Sequence, residues 1–353
     1  MFYKLKKALI KSSLKKHKKN SDFDIEKADR YKLEGNEEPG VNDSHYFSFH
    51  SFNSLERIIY RSSRRSGSAT NELWFIYRDE NGKIYLPVQD HFQQNEVHPC
   101  DVTCIKAGET IKIEYRGKVI QAVETSDKEF VPDPKGKGTD CYMKAIFNAV
   151  SPVFEFSRDQ DPEVLASCIA REKDMSNVKN AFKQVYQIHY EQSGFSDIEI
   201  TIEGKTKVIP KMVTMRDHSY GKRDWNFFDR YIWSMILLEN GEMIQTGWMQ
   251  YPVIKELQSG CHIGKDKSVS GFRNTTLDSM PCTGTNADKI EFTCNYADKS
   301  INNIKGSLDF KVATHFDGCF TVNIGVYKYD VNGLQGRGVC EFAYNTDKSR
   351  WKR

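Results

Sequence analysis

The stretch Met215-Arg216-Asp217-His218-Ser219-Tyr220-Gly221-Lys222-Arg223-Asp224-Trp225 crowds two arginines, two aspartates, a histidine, a serine, a tyrosine and a tryptophan into eleven residues. Such groups are costly to bury unless each finds a partner. Two readings suit them. An aspartate in apolar surroundings has a raised pKa and can hold a proton near neutral pH, which makes Asp217 or Asp224 a candidate acid. His218 can orient that acid or take the proton back. Alternatively, Arg216 and Arg223 pair bidentately with Asp217 and Asp224, keep both carboxyls ionised and plug the end of a β-barrel. Alternation along an extended chain puts Arg216, His218 and Tyr220 on one side and Asp217 and Ser219 on the other.

The elements that must carry this string read as strands. The chain has 353 residues, 39% of them apolar, with 21 Phe and 17 Tyr. That supply of aromatics favours sheet. Alternating runs meet at hairpin signals: Glu72 to Tyr77 before Asn81-Gly82, Ile198 to Ile202 before Glu203-Gly204, Tyr231 to Leu238 before Asn240-Gly241, and Phe320 to Tyr329 before Asn332-Gly333. Arg116-Gly117 reads as a further turn after Ile111, Ile113 and Tyr115. Regular strand and turn spacing predicts an all-β architecture of barrels or sandwiches. Residues 161–189 break the pattern. Asp161-Pro162-Glu163 opens a helix, and Val178, Ala181, Phe182, Val185 and Ile188 or His189 give a second apolar stripe. The expected division is a basic N-terminal segment and linker over 1–44, a first β-domain over 45–195 containing a helical bridge near 161–189, and a second over 196–353.

Charge and cysteine usage narrow the function classes. A net charge of +3 argues against a whole-chain polyanion binder, so no nucleic-acid partner is expected. Residues 1–20 hold eight Lys and no acid, and Phe2, Leu5, Leu9 and Ile10 can share a helical face. That segment suits either a solvated basic tail or a helix lying on an anionic membrane surface. Nine Cys without a C-x-x-C read as a reduced, cytoplasmic protein with no metal site. Neither a Gly-x-Gly-x-x-Gly nor a P-loop is present, so no cofactor is expected. His45 and His50 flank Tyr46 to Phe49, where one can face a cavity. Arg61, Arg64 and Arg65 around Ser62-Ser63 can bind a phosphate or carboxylate, or form an exposed turn.

Tyr190-Glu191-Gln192, the hairpin that follows, the 215–225 string and the closing Gly336-Arg337-Gly338-Val339-Cys340-Glu341-Phe342 together resemble the two-lipocalin superfamily of carotenoid 1,2-hydratases. They are closer to an uncharacterised branch that is also found beside phosphoenolpyruvate-synthase-like phosphotransferase modules. The resemblance spans residues 45–350 and implies tandem lipocalin-like β-barrels. Tyr220 stands where many relatives carry Trp. By this likeness the chain is expected to bind an apolar molecule, isoprenoid or acyl-like, with hydratase or cyclase chemistry that uses no cofactor. Asp217 or Asp224 would protonate an alkene, with His218 assisting. Arg216, Tyr220, Arg223, Trp225, Trp233 and Trp248 would line the ligand site, aromatic faces stabilising a carbocation. The competing expectation is a non-catalytic interaction module, held at a membrane through residues 1–20.

Overall fold

The computed structural model describes residues 2–19, 22–34, 37–67, 70–184, 187–277 and 286–350. The chain divides into two compact units. One comprises Phe23–Phe154 and Gln187–Arg223, and is called the first barrel. The other comprises Met1–Asp22, Glu155–Tyr186 and Asp224–Arg353, and is called the second barrel.

In chain order come α1 (Phe2–Lys19) and α2 (Ile25–Asp29), then β1 (Val41–His50), β2 (Arg57–Arg65), β3 (Asn71–Arg78), β4 (Ile84–Pro87), β5 (His91–Phe92), β6 (Cys100–Lys106), β7 (Thr110–Glu124), β8 (Phe130–Pro132), β9 (Thr139–Ala149) and β10 (Phe154–Glu155). Three helices follow: α3 (Phe156–Asp159), α4 (Pro162–Arg171) and α5 (Met175–Gln184). The long hairpin β11 (Gln187–Ile202) and β12 (Lys205–Lys222) then returns to the first barrel. Its strands run β11-β12-β1-β2-β3-β4-β7, and β9 pairs with both β7 and β11, which closes the ring. Closure leaves no bare edge along that path. The interior holds Phe47, Phe49, Tyr60, Phe75, Tyr115 and Phe147, all at most 1% exposed. Alternation puts residues 43, 45, 47 and 49 of β1 on this same inner face.

The second barrel is a closed meander of β13 (Arg230–Leu238), β14 (Met243–Tyr251), β15 (Ile254–Ile263), β16 (Val269–Thr275), β17 (Lys289–Tyr296), β18 (Ile301–Phe316), β19 (Phe320–Val331) and β20 (Leu334–Asn345). It has its own apolar core, to which α4 contributes Val164, Cys168 and Ile169.

The all-β expectation therefore describes the molecule, and four of the hairpin signals form hairpins. Glu203-Gly204 and Asn332-Gly333 adopt positive φ, as tight antiparallel turns require. Four details differ. Arg116-Gly117 lies inside the continuous strand β7, where Gly117 leaves room for the folded-back Tyr115 ring (a Cβ would sit 2.6 Å from its hydroxyl). The division at 195/196 falls in the middle of β11, because that hairpin completes the first ring rather than opening the second. Residues 21–44 are not a simple linker, since α2 and the start of β1 lie within them. The helical region ends earlier than its stripe implied: Ile188 and His189 belong to β11, and Val185 lies outside the described residues.

Candidate functional site

The first barrel carries a buried chain of hydrogen bonds on its inner face. Arg216, on β12, forms a two-pronged pair with Asp29 at the end of α2, at 2.8 and 3.1 Å. The Gly108 backbone N–H donates to the same carboxylate at 2.6 Å. Tyr190, on β11, donates its hydroxyl hydrogen to Asp29 Oδ1 at 2.5 Å, and its oxygen faces His218 Nδ1 at 2.7 Å. His218 Nε2 lies 2.9 Å from Asp43 Oδ1 on β1. Gln192 accepts from Arg216 Nε at 2.9 Å and donates to the Gly108 and Ser151 carbonyls. Register explains the convergence: His45 pairs with His218 across β1 and β12, and Tyr190 pairs with His218 across β11 and β12.

The hydrogen count along the chain is informative. Tyr190 has one hydrogen and gives it to Asp29, so its oxygen can only accept from His218. Asp43 as a carboxylate also only accepts. Both His218 nitrogens therefore face acceptors, the Tyr190 hydroxyl oxygen and the Asp43 carboxylate, while Arg216 balances Asp29. Burial opposes charge on Asp29, but the Arg216 guanidinium and the bonds from Arg216, Gly108 and Tyr190 hold its carboxyl below the usual range. Burial likewise opposes charge on Asp43, yet His45, His218 and Arg64 keep that carboxyl low as well.

The chain ends on a cavity of about 240 Å³. Asp43 and His45 line it together with Ser62, Cys100, Val102, Lys32, Leu33, Arg64 and Asp101. The His45 ring stacks on His218 at 3.8 Å. Burial, reinforced by the charge on His218, pushes His45 down to about 3. It is thus a neutral imidazole at ordinary pH, and a proton settles on it only where negative charge develops beside it. Burial pushes the Cys100 thiol up to about 12, which removes it as a nucleophile. Two groups bring three ligand-type atoms within 4.8 Å of one another: Asp43 with His45 and His218, and His189 with Glu191 and Asp217. In each, a histidine and a carboxylate already bond directly.

Of the residues singled out from sequence, Arg216, His218 and Tyr220 share the inner face; Tyr220 stacks on Tyr31 at 4.1 Å. Asp217 is turned away and meets His189 at 2.5 Å, so the carboxylate on His218 is Asp43 instead. Arg223 donates to Gln187 and Ser219, not to Asp224. Asp224 caps the short 3₁₀ turn Trp225–Phe227 by accepting from the Asn226 N–H at 2.9 Å. Trp225 stacks on Phe316, Trp233 meets Phe156, and Trp248 lies under Arg230; all belong to the second barrel, whereas the cavity is lined by the first. Arg61 and Arg65 pair with Glu72, and alternation leaves Arg64 as the cavity arginine. Sequence reading passed over Asp29, Asp43 and the role of Tyr190. Carrying the β1 alternation back two residues from His45 would have found Asp43. Asp24 accepting from Glu26 N marks the start of α2, but nothing local marks Asp29.

The comparisons bear on the frame that holds this site. No curated protein matches the sequence. Among solved structures, kievitone hydratase from Nectria haematococca superposes with a TM-score of 0.52 at 11% identity, covering 92% of this chain and 96% of that one. CghA superposes with a TM-score of 0.51 at 8% identity, covering 88% and 89%. These likenesses support the two-barrel, lipocalin-like fold of the resemblance; the phosphotransferase association finds no support in them. The sequence itself is more specific: a single family model runs over residues 27–346, from the helix that supplies Asp29 to the last strand of the second barrel, and the chain belongs to that family, a domain of unknown function, DUF7064.

Proposed function

We propose that the first barrel binds a compact small molecule with an apolar body and a carbonyl or carboxylate head, and that His45, with Asp43 beside it, moves a proton on it. The observation that carries this reading is the neutral His45 lining a cavity that Lys32 and Arg64 also line. A base facing fixed cations suits a reaction in which negative charge develops on the ligand. Addition of water to a carbonyl-conjugated double bond, or its reversal, is such a reaction. His45 takes the proton of the attacking water as negative charge develops on the ligand and returns it to the α-carbon of the enolate so formed, the reverse steps serving dehydration, and Arg64 faces the oxygen that gathers charge. The Asp29–Tyr190–His218–Asp43 chain fixes Asp43 and adds to the burial that keeps His45 neutral. Protonation of an isolated alkene fits less well, because both inner carboxyls are held low and so carry no proton to give near neutral pH. At about 240 Å³ the cavity lies below the roughly 300–1,000 Å³ of ordinary ligand pockets. It therefore suits a short acyl or enone compound better than a long isoprenoid. Kievitone hydratase shares the fold and its name denotes hydration, but the fold alone does not transfer that activity.

The test is a panel of small conjugated enones and enoyl acids, followed by loss of ultraviolet absorbance and by ¹⁸O uptake from labelled water. Turnover of at least one member is expected, abolished in His45→Ala and Ser62→Trp, with Asp217→Asn and Asp224→Asn still active. If no member binds or turns over, or His45→Ala keeps full activity, the chemistry is wrong. An interaction module would then account better for the satisfied polar network.

A further inference from the structure

The helix α1 is two-sided in a way that the fold of its own unit does not use. One side is tied down. Lys7 and Lys11 both pair with Glu163 of α4, the latter at 2.5 Å, and Lys6 donates to the Glu172 carbonyl. Tyr3 reaches the Ser167 carbonyl and Lys18 the Asp159 carbonyl, while Ile10 packs against the apolar core. The opposite side presents Phe2, Leu5 and Leu9, which are 80%, 61% and 64% exposed. Their spacing of three and four residues places them within one narrow stripe. Ala8 and Ser12 extend it, Lys16 closes its far end, and Lys4 and Lys15 flank it, all exposed. No acid occurs anywhere on α1. Single exposed apolar residues are ordinary, but a row of three large ones on a helix anchored from behind marks a surface with an occupant.

We propose that this outer face of α1 docks on an anionic membrane surface, with Phe2, Leu5 and Leu9 entering the headgroup boundary. Charge complementarity selects the occupant. A surface with lysines around an apolar stripe and no acid matches anionic headgroups. Lys6, Lys7, Lys11 and Lys18 are engaged on the rear side, so among the described residues the cations left for headgroups are Lys16, in line with the stripe, and Lys4 and Lys15, whose long side chains can reach down from the side of the helix. The helix lies in the interface rather than crossing it, since among the described residues no helix is long and apolar enough to span a bilayer. A surface contact of this kind is reversible and salt-sensitive.

The experiment is co-sedimentation of the full chain with phosphatidylcholine vesicles, with and without phosphatidylserine. Binding is expected only with phosphatidylserine, weakened by raised salt. Leu5→Ser/Leu9→Ser should lower partitioning at least tenfold without shifting the melting temperature, because neither side chain touches the core. Lys4→Glu/Lys15→Glu/Lys16→Glu should do the same, and light scattering should find the wild-type chain in one oligomeric state that neither variant changes. Failure of the wild type to sediment overturns the proposal, as does unchanged partitioning of either variant. An assembly that dissociates in Leu5→Ser/Leu9→Ser overturns it too, and makes the face a contact between copies.

Discussion

At the residue scale the first barrel is tied by a buried ion pair, Arg216–Asp29. Both side chains are nearly solvent-free, at 3% and 1% exposure, and they lie far apart in sequence. Breaking such a pair leaves one buried charge without compensation, which costs about 3–5 kcal/mol. Arg216→Met and Asp29→Asn are each expected to lose about that much stability in urea unfolding. The double variant should lose less than the sum of the two, because the second change removes the charge that the first left stranded. Additive losses would mean that the residues do not act as a pair. How much of this cluster could be read from sequence depends on separation. Alternation along β12 put Arg216, His218 and Tyr220 on one side and excluded Asp217, a local inference that holds. The partners Asp29, Asp43 and Tyr190 come from α2, β1 and β11, and no local pattern connects them to β12. The proton-holding Asp was sought at Asp217 and Asp224, which meet His189 and cap a turn; the carboxyls that reach the inner face are Asp29 and Asp43, with arginine and histidine beside them.

At the scale of elements, glycines tell closure apart from turning. Gly194 sits on β11 where β9 crosses to close the ring, and an added Cβ would fall 2.1 Å from the Asn148 carbonyl oxygen and 2.8 Å from the Phe147 ring. Both neighbours are held by the sheet, so neither can withdraw. Gly194→Ala is expected to cost at least about 1–3 kcal/mol and to loosen β9 and β11 together. Gly204, in the β11–β12 turn, has nothing within 4 Å but a φ of +73°. Gly204→Ala should cost only about 1–2 kcal/mol, from backbone strain alone. Hydrogen exchange distinguishes the two: protection should fall along β9 in the first variant and only near the turn in the second. Equal effects would contradict the close approach at Gly194. Turn glycines of the Gly204 type were legible, since paired turn residues between alternating runs have few other uses. Arg116-Gly117 carries the same local signal inside a strand, because its glycine answers to the Tyr115 ring and not to a turn. The five-residue α2 is too short for periodicity to reveal, so the segment around it read as linker.

At the scale of the whole molecule, acid should affect the two barrels unequally. Two histidines of the first barrel are held neutral by burial. His45 is pushed down to about 3, and His98 to about 4, with the charge on Arg64 adding to the effect at His98. The neutral form of His98 is satisfied where it lies, its Nδ1 accepting from the Cys100 N–H at 3.2 Å and its Nε2 facing the Glu72 carbonyl at 3.3 Å. Unfolded, both take up a proton near pH 6.5. Between that pH and the folded values the unfolded chain binds more protons, so their contribution is fully present above about pH 6.5 and is lost as the pH falls. Two such groups give a slope approaching about 2.7 kcal/mol per pH unit between roughly pH 6 and 4. The low carboxyls of Asp29 and Asp43 add to the loss at still lower pH. Hydrogen exchange read separately on peptides of each barrel should show protection of β1, β11 and β12 falling between pH 7 and 5, after correction for intrinsic exchange. His45→Gln should remove close to half of that slope, since Gln has no proton to gain on unfolding. A first barrel whose stability is flat over this range, or whose slope survives His45→Gln, would mean that the His45 ring takes up a proton in the folded state, and the neutral base on which the proposed chemistry depends would not exist.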